Sequence, residues 1–76
     1  MNKYRRKSLQ EISDRLEELK SSLEDIQTEE EEYRDSMPEN MQGGGKYEKA
    51  EEAISSIEEA AGSIEDAISS IEAAME

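Results

Sequence analysis

The feature that most constrains the fold is a seven-residue repeat in the second half of the chain. Apolar residues recur there in alternating steps of three and four. They are Tyr47, Ala50, Ile54, Ile57, Ala61, Ile64, Ile68, Ile71 and Met75. This spacing keeps the apolar side chains on one stripe of an α-helix and is typical of coiled coils and helical bundles.

The first half of the chain has the same spacing, although with more polar interruptions. Its positions are Leu9, Ile12, Leu16, Leu19, Leu23, Ile26, Glu30, Tyr33 and Met37. Two helices of equal length on either side of a loop of about ten residues predict an antiparallel pair. We therefore predict an all-α fold, an antiparallel two-helix hairpin forming a single domain over residues 1–76. Its helices should span about residues 3–35 and 46–75, around a loop over 36–45.

Two starting points for the first helix fit its sequence. Ser8 followed by Glu11 forms a capping box, and Asn2 is also a favourable N-cap residue. A second Ser-x-x-Glu box, Ser36 to Glu39, predicts a short extra turn from Pro38 to about Met41. Met37 and Met41 should then point back onto the helix ends. Three glycines, residues 43–45, predict a flexible connection and not a phosphate-binding loop, because no Gly-Lys-Ser/Thr sequence accompanies them.

Composition removes several classes of function. The net charge is −12, and the chain contains neither cysteine nor histidine. The chain therefore lacks the residues that most often act as nucleophile, base or metal ligand, and we expect no enzyme activity, cofactor or metal site. No apolar run of about 18 residues is present, so no membrane span is expected and the cytoplasm is the default location.

Four consecutive acids, Glu29 to Glu32, interrupt the apolar pattern of the first helix. They would be solvated if the helix interface ends there. Alternatively, they form a carboxylate site for a cation or a partner, or they set the pairing of the helices, as a polar residue at a core position can do. The run lacks the loop sequence of a calcium site, which disfavours a specific cation.

Alanines beside the core positions of the second helix widen its apolar face beyond what one neighbouring helix can cover. These are Ala53, Ala60, Ala67 and Ala74. A two-helix hairpin cannot bury such a face, so we expect a homodimer that forms a four-helix bundle or, alternatively, a long-lived pairing with another protein. The predicted oligomer-interface residues are Leu9, Ile12, Leu16, Leu19, Leu23, Ile26, Ile54, Ile57, Ile64, Ile68 and Ile71.

The turn gives the chain a family resemblance. Residues 33–43, with Pro38-Glu39-Asn40 and then Gly43, followed by residues 46–50, resemble the central segment of small helical-hairpin proteins of bacteria and phages. Those proteins combine such a turn with an Ala/Ile/Glu heptad tail and have no assigned activity. The triple glycine departs from their pattern. The resemblance implies a helical hairpin and a role as a phage or mobile-element accessory factor.

Four functions remain compatible with these observations. The one we favour is a self-associating protein-interaction module, and the main alternative is a nucleic-acid mimic whose carboxylates inhibit a basic DNA- or RNA-binding protein. A small ligand could bind if an oligomer clustered Arg5, Arg6, Tyr33 and Tyr47, the candidate partner-binding residues. Direct nucleic-acid binding through the basic residues 3–7 is disfavoured by the overall acidity.

Overall fold

A computed structural model describes residues 1–76 as two long antiparallel helices joined by a compact loop. Helix α1 spans Lys3–Asp35, a 3₁₀ turn spans Glu39–Met41, and helix α2 spans Gly45–Met75. The two helices pack against each other, and the chain contains no strand. The all-α class and the packed pair of helices predicted from the heptads are therefore confirmed. The hairpin is 59 Å long and 14 Å wide.

Helix α1 begins at the earlier of the two expected starting points. The Asn2 side chain accepts a hydrogen bond from the Arg5 backbone N–H at 2.8 Å. This bond satisfies one of the amides that a helix N-terminus leaves without a partner. Ser8 lies inside the helix and caps nothing. The basic residues 3–7 are therefore helical and occupy its first turns.

The loop forms the predicted short turn, but Ser36 does not cap it. The Ser36 hydroxyl donates to the Tyr33 carbonyl at 3.0 Å, so this side chain closes α1 instead of opening the 3₁₀ turn. Pro38 then prevents the helix from continuing, because it has no N–H and a fixed φ. Met37 is buried beneath the loop as expected, whereas Met41 is exposed.

Only one glycine of the loop is required by a close approach. Gly44 is the N-cap of α2, and a Cβ there would lie 3.3 Å from the Met41 carbonyl oxygen. No glycine has a positive φ, and Gly43 and Gly45 have open space around them. The chain therefore reverses direction through the 3₁₀ turn and not through left-handed glycines.

Two polar contacts define the relative position of the helices along their length. Lys20 Nζ lies 2.8 Å from Glu65 Oε2, and Gln27 Nε2 lies 3.0 Å from Glu58 Oε1. A step of seven residues along α1 thus corresponds to a step of seven back along α2. Eleven residues before Lys20 is Leu9, and eleven residues after Glu65 is Glu76. The end of α2 is therefore level with Leu9.

Residues 3–8 of α1 consequently extend beyond α2. At 1.5 Å per residue this basic overhang is about 9 Å long. All of its side chains are exposed, and Tyr4 is 83 % exposed. It contains Lys3, Arg5, Arg6 and Lys7 and no acid. The only strongly basic segment of an acidic protein is thus held away from the rest of the hairpin.

Candidate interaction surface

Helix α1 is rotated so that only half of its apolar positions face α2. Leu9, Leu16 and Leu23 are half-buried between the helices. Ser13 and Lys20 come directly after the other apolar positions, Ile12 and Leu19, in the sequence. They also face α2, and Ser13 is only 3 % exposed. The helices therefore meet along a line that lies between the leucines and a row of polar residues.

The remaining apolar positions of α1 are left outside. Ile12, Leu19, Ile26 and Tyr33 are between 47 % and 57 % exposed. They follow one another at intervals of seven residues, so they form one line along the helix, which we call the α1 stripe. A row of large apolar side chains over most of a helix is unusual on a monomer surface, which makes the α1 stripe a candidate interaction surface.

The alanines of α2 border the same side of the hairpin. A shallow groove near the loop is lined by Tyr33 of the α1 stripe, by Ala50 and Ala53 of α2, and by the charged residues Glu30, Lys46 and Lys49. Ala53 begins the α2 alanine stripe, which continues at the exposed positions Ala60, Ala67 and Ala74. Large side chains on α1 and small side chains on α2 thus border the same side of the hairpin, with charged residues between them only at the loop end shown by the groove, and we call this side the open face.

The opposite edge of the hairpin is polar, and two of its side chains, Lys20 and Gln27, bond across to α2. Its α1 side carries Ser13, Lys20, Gln27 and Arg34, and its α2 side carries Glu51, Glu58, Glu65 and Glu72. The hydrogen bond to Glu65 is the main reason that the pKa of Lys20 lies above its ordinary value of 10.5. The bond that Arg34 donates to Asp35 likewise raises the pKa of this guanidinium, with a smaller contribution from Glu51.

The four glutamates at the end of α1 differ in their exposure to solvent. Glu30 and Glu31 are half-buried, whereas Glu29 and Glu32 are exposed. No group of three or more acidic side chains is arranged to hold a metal ion. The arrangement therefore offers negative charge near the loop, and the residues that carry it do not form a ligand cage.

The candidate partner-binding residues lie at opposite ends of the hairpin. Arg5 and Arg6 are on the basic overhang, whereas Tyr33 and Tyr47 are at the loop end, and Tyr47 is half-buried. One copy of the chain therefore does not bring these four side chains together. Any site that combines them needs a second copy.

The sequence pattern identified both halves of the α1 repeat but not which half would face α2. The missed residues are the polar ones at the helix interface, above all Ser13. A signal was present, since Ser13, Lys20, Gln27 and Arg34 also recur every seven residues and can face a matching row of glutamates on α2. Their complementarity favours rotating α1 toward its polar row.

Comparison with known protein families, with curated proteins and with solved structures found no match for this chain. Neither helix contains an apolar stretch of the length that crossing a membrane requires. The surface features that could carry a function are the open face, the acidic exterior and the basic overhang.

Proposed function

We propose that the protein is a protein-interaction module that self-associates through its open face into a dimeric four-helix bundle. The observation that carries this proposal is the α1 stripe, four large apolar side chains aligned along the hairpin and about half exposed. A second hairpin is the occupant whose shape and apolar character match this face, because it presents the same stripe over the same length.

The interior of one hairpin is small for a fold of this length. Only six residues are buried, one of them is a serine, and no large side chain is fully enclosed. A domain of this size normally needs disulfides, a metal or oligomerisation to offset the entropy of ordering the chain. Cysteine is absent, which leaves oligomerisation as the means that the sequence offers.

The available area is sufficient for a specific dimer. A side 59 Å long and 14 Å wide presents a face of about 800 Å² per copy, which is the size of a standard protein–protein interface. Between the two stripes the groove shows one acid, Glu30 near the loop, and it lies beside Lys46 and Lys49, so two copies can approach despite a charge of −12 each. Burial of the α1 stripe would supply the apolar contacts that the single hairpin lacks.

A second candidate function is supported by the exterior. All of the acidic residues except Glu30 and Glu31 are exposed, so the outer faces of both helices present closely spaced carboxylates. A basic nucleic-acid-binding protein would be attracted to such a surface at low salt. This mimic could act as a dimer, because its acidic surface does not overlap the open face. An accessory role in a phage or mobile element stays a prediction from the turn sequence.

Light scattering behind a sizing column at low and high salt tests the first proposal. We expect a mass of twice 8.6 kDa at both salt concentrations, because apolar burial is not screened by ions. A mass of one chain at micromolar concentration in both buffers would contradict the proposal. Binding to a basic protein that disappears at high salt, with the dimer retained, would support the mimic as the additional activity.

A further inference from the structure

We infer that the partner of the open face is a second copy in the opposite orientation, with the basic overhang of each copy beside the loop end of the other. This inference deepens the proposed dimer and depends on it. It specifies which of two symmetric arrangements the dimer adopts. Both arrangements bury the open face, and they differ in whether the two loops lie at opposite ends of the bundle or at the same end.

The two stripes of the open face share one midpoint. The α1 stripe is centred between Ser22 and Leu23, which are level with Ser63 and Gly62 given the Lys20–Glu65 contact. The α2 alanine stripe is centred between Ser63 and Ile64. The two midpoints differ by one residue, or about 1.5 Å along the axis. One two-fold axis, perpendicular to the helices at this shared midpoint, can therefore serve both stripes. It pairs the α1 stripe with the α1 stripe of the second copy, and the α2 alanine stripe with the α2 alanine stripe of the second copy.

With that axis, large residues meet large residues and alanines meet alanines. Leu19 of one copy would lie beside Ile26 of the partner subunit, and Ile12 beside Tyr33 of the partner subunit. The α2 helices would approach along their alanines. The neighbouring positions there are Ser56, Ser63 and Ser70, so no acids oppose each other at this close approach.

The same axis brings the ends of the two copies level. Lys3 lies about 29 Å from the midpoint of the α1 stripe at 1.5 Å per residue, which is half of the 59 Å length. The basic overhang of one copy would therefore end beside the loop of the other. The overhang of one copy extends past the end of its own α2, and in the dimer it would cover the loop end of the second copy.

Charge selects this arrangement over the alternative. The overhang has four cations and no acid, whereas the loop end, residues 29–49, has seven acids and three cations, Arg34, Lys46 and Lys49, and is therefore still net negative. Opposite orientation places these segments together. Equal orientation would place two basic overhangs at one end and two acidic loop ends at the other, which is a repulsive arrangement. It would also leave Tyr4 and Met41 exposed.

Distances between nitroxide labels decide the orientation, and the absence of native cysteine makes single labels unambiguous. A label at Asn40→Cys, in the loop, should give a distance of about 50–60 Å in the dimer we infer, close to the hairpin length. Equal orientation would give less than about 30 Å, because the loops would then be separated only by neighbouring helices. That result would overturn the inference.

A second label separates this failure from failure of the dimer itself. Ser21→Cys lies on the outer face of α1 near the midpoint, so it should give a distance below about 35 Å in either orientation. A short Ser21 distance with a short Asn40 distance would retain the dimer and reject the orientation. The absence of any dipolar signal at Ser21 would reject both.

Charge reversal gives an independent test. Arg6→Glu should weaken dimerisation about three- to tenfold at low salt, since each dimer contains two copies of the contact with the loop end. Adding Glu39→Arg to the same chain should restore the affinity, because the opposed pair is then present with its signs exchanged. Failure of the second substitution to restore it, or a further loss, would contradict contact between these ends.

Discussion

Leu19 is the residue whose replacement most directly tests the open face. It is 57 % exposed in the hairpin and lies at the centre of the α1 stripe. Full burial of a leucine contributes about 1.5–3 kcal/mol, so covering the exposed fraction contributes about 0.9–1.7 kcal/mol per copy. Two copies meet in the dimer, and the loss on substitution is then about 1.7–3.4 kcal/mol.

The predicted consequence of Leu19→Gln is an increase in the dimer dissociation constant of about 15- to 250-fold, since each 1.4 kcal/mol corresponds to a factor of ten. Leucine and glutamine have similar helix propensities, so the helix itself should be retained. Sedimentation velocity over a concentration series measures the constant. Ser21→Gln is the matched control, because Ser21 is exposed on the opposite side of the same helix. Equal constants for the two variants would refute the assignment of the α1 stripe to the interface.

Four further predictions concern the hairpin and its loop. Gly62→Ala should raise the stability by about 1 kcal/mol and the melting temperature by about 4–8 °C, because a Cβ there meets nothing and the helix interior disfavours glycine. Ile64→Asp should abolish most of the helical circular dichroism signal, since it places an unpaired carboxylate between the helices; unchanged helicity would contradict the bundle. Gly43→Ala should stabilise the protein slightly in denaturant titrations, whereas Gly44→Ala should not, because only the latter crowds a carbonyl. Lys20→Gln should melt earlier than the wild type at neutral pH, and the difference should vanish as the pH rises well past 10.5, because a raised lysine pKa stabilises the fold only while the amine stays protonated.

The heptad spacing was sufficient to predict both helices and their antiparallel packing. Steps of three and four fix which side chains share a stripe, and Pro38 fixes where the first helix must end. The start of α1 was left open because Asn2 and Ser8 are both good caps. The structure uses Asn2, which adds a turn and a half of helix and creates the basic overhang.

The rotation of α1 could not be predicted from the apolar pattern alone. A stripe two residues wide can face its neighbour with either edge, and the choice depends on what lies on the neighbour. In the structure the glutamates of α2 contact Lys20 and Gln27, whereas Leu19 and Ile26 lie on the outside. The sequence contains this complementarity, but it becomes visible only when the alignment of the two helices along their length is known.

The prediction that Ser36 caps the 3₁₀ turn was wrong for a related reason. A Ser-x-x-Glu sequence fits the start of a helix, but the same hydroxyl can accept at one helix start or donate at the end of the preceding helix. In this loop the donation to Tyr33 wins, because α1 reaches as far as Asp35. Local motifs of this kind predict that a boundary exists more reliably than which element they cap.

Isotope-filtered NMR on a dimer mixed from labelled and unlabelled chains is the most direct test of the central claim that a second copy covers the α1 stripe. We expect intermolecular methyl contacts from Ile12, Leu19 and Ile26, and none from Leu16 and Leu23, which are half-buried against α2 of their own chain. Intermolecular contacts that arise from Leu16 and Leu23 instead, with the α1 stripe still solvent-exposed, would contradict that claim.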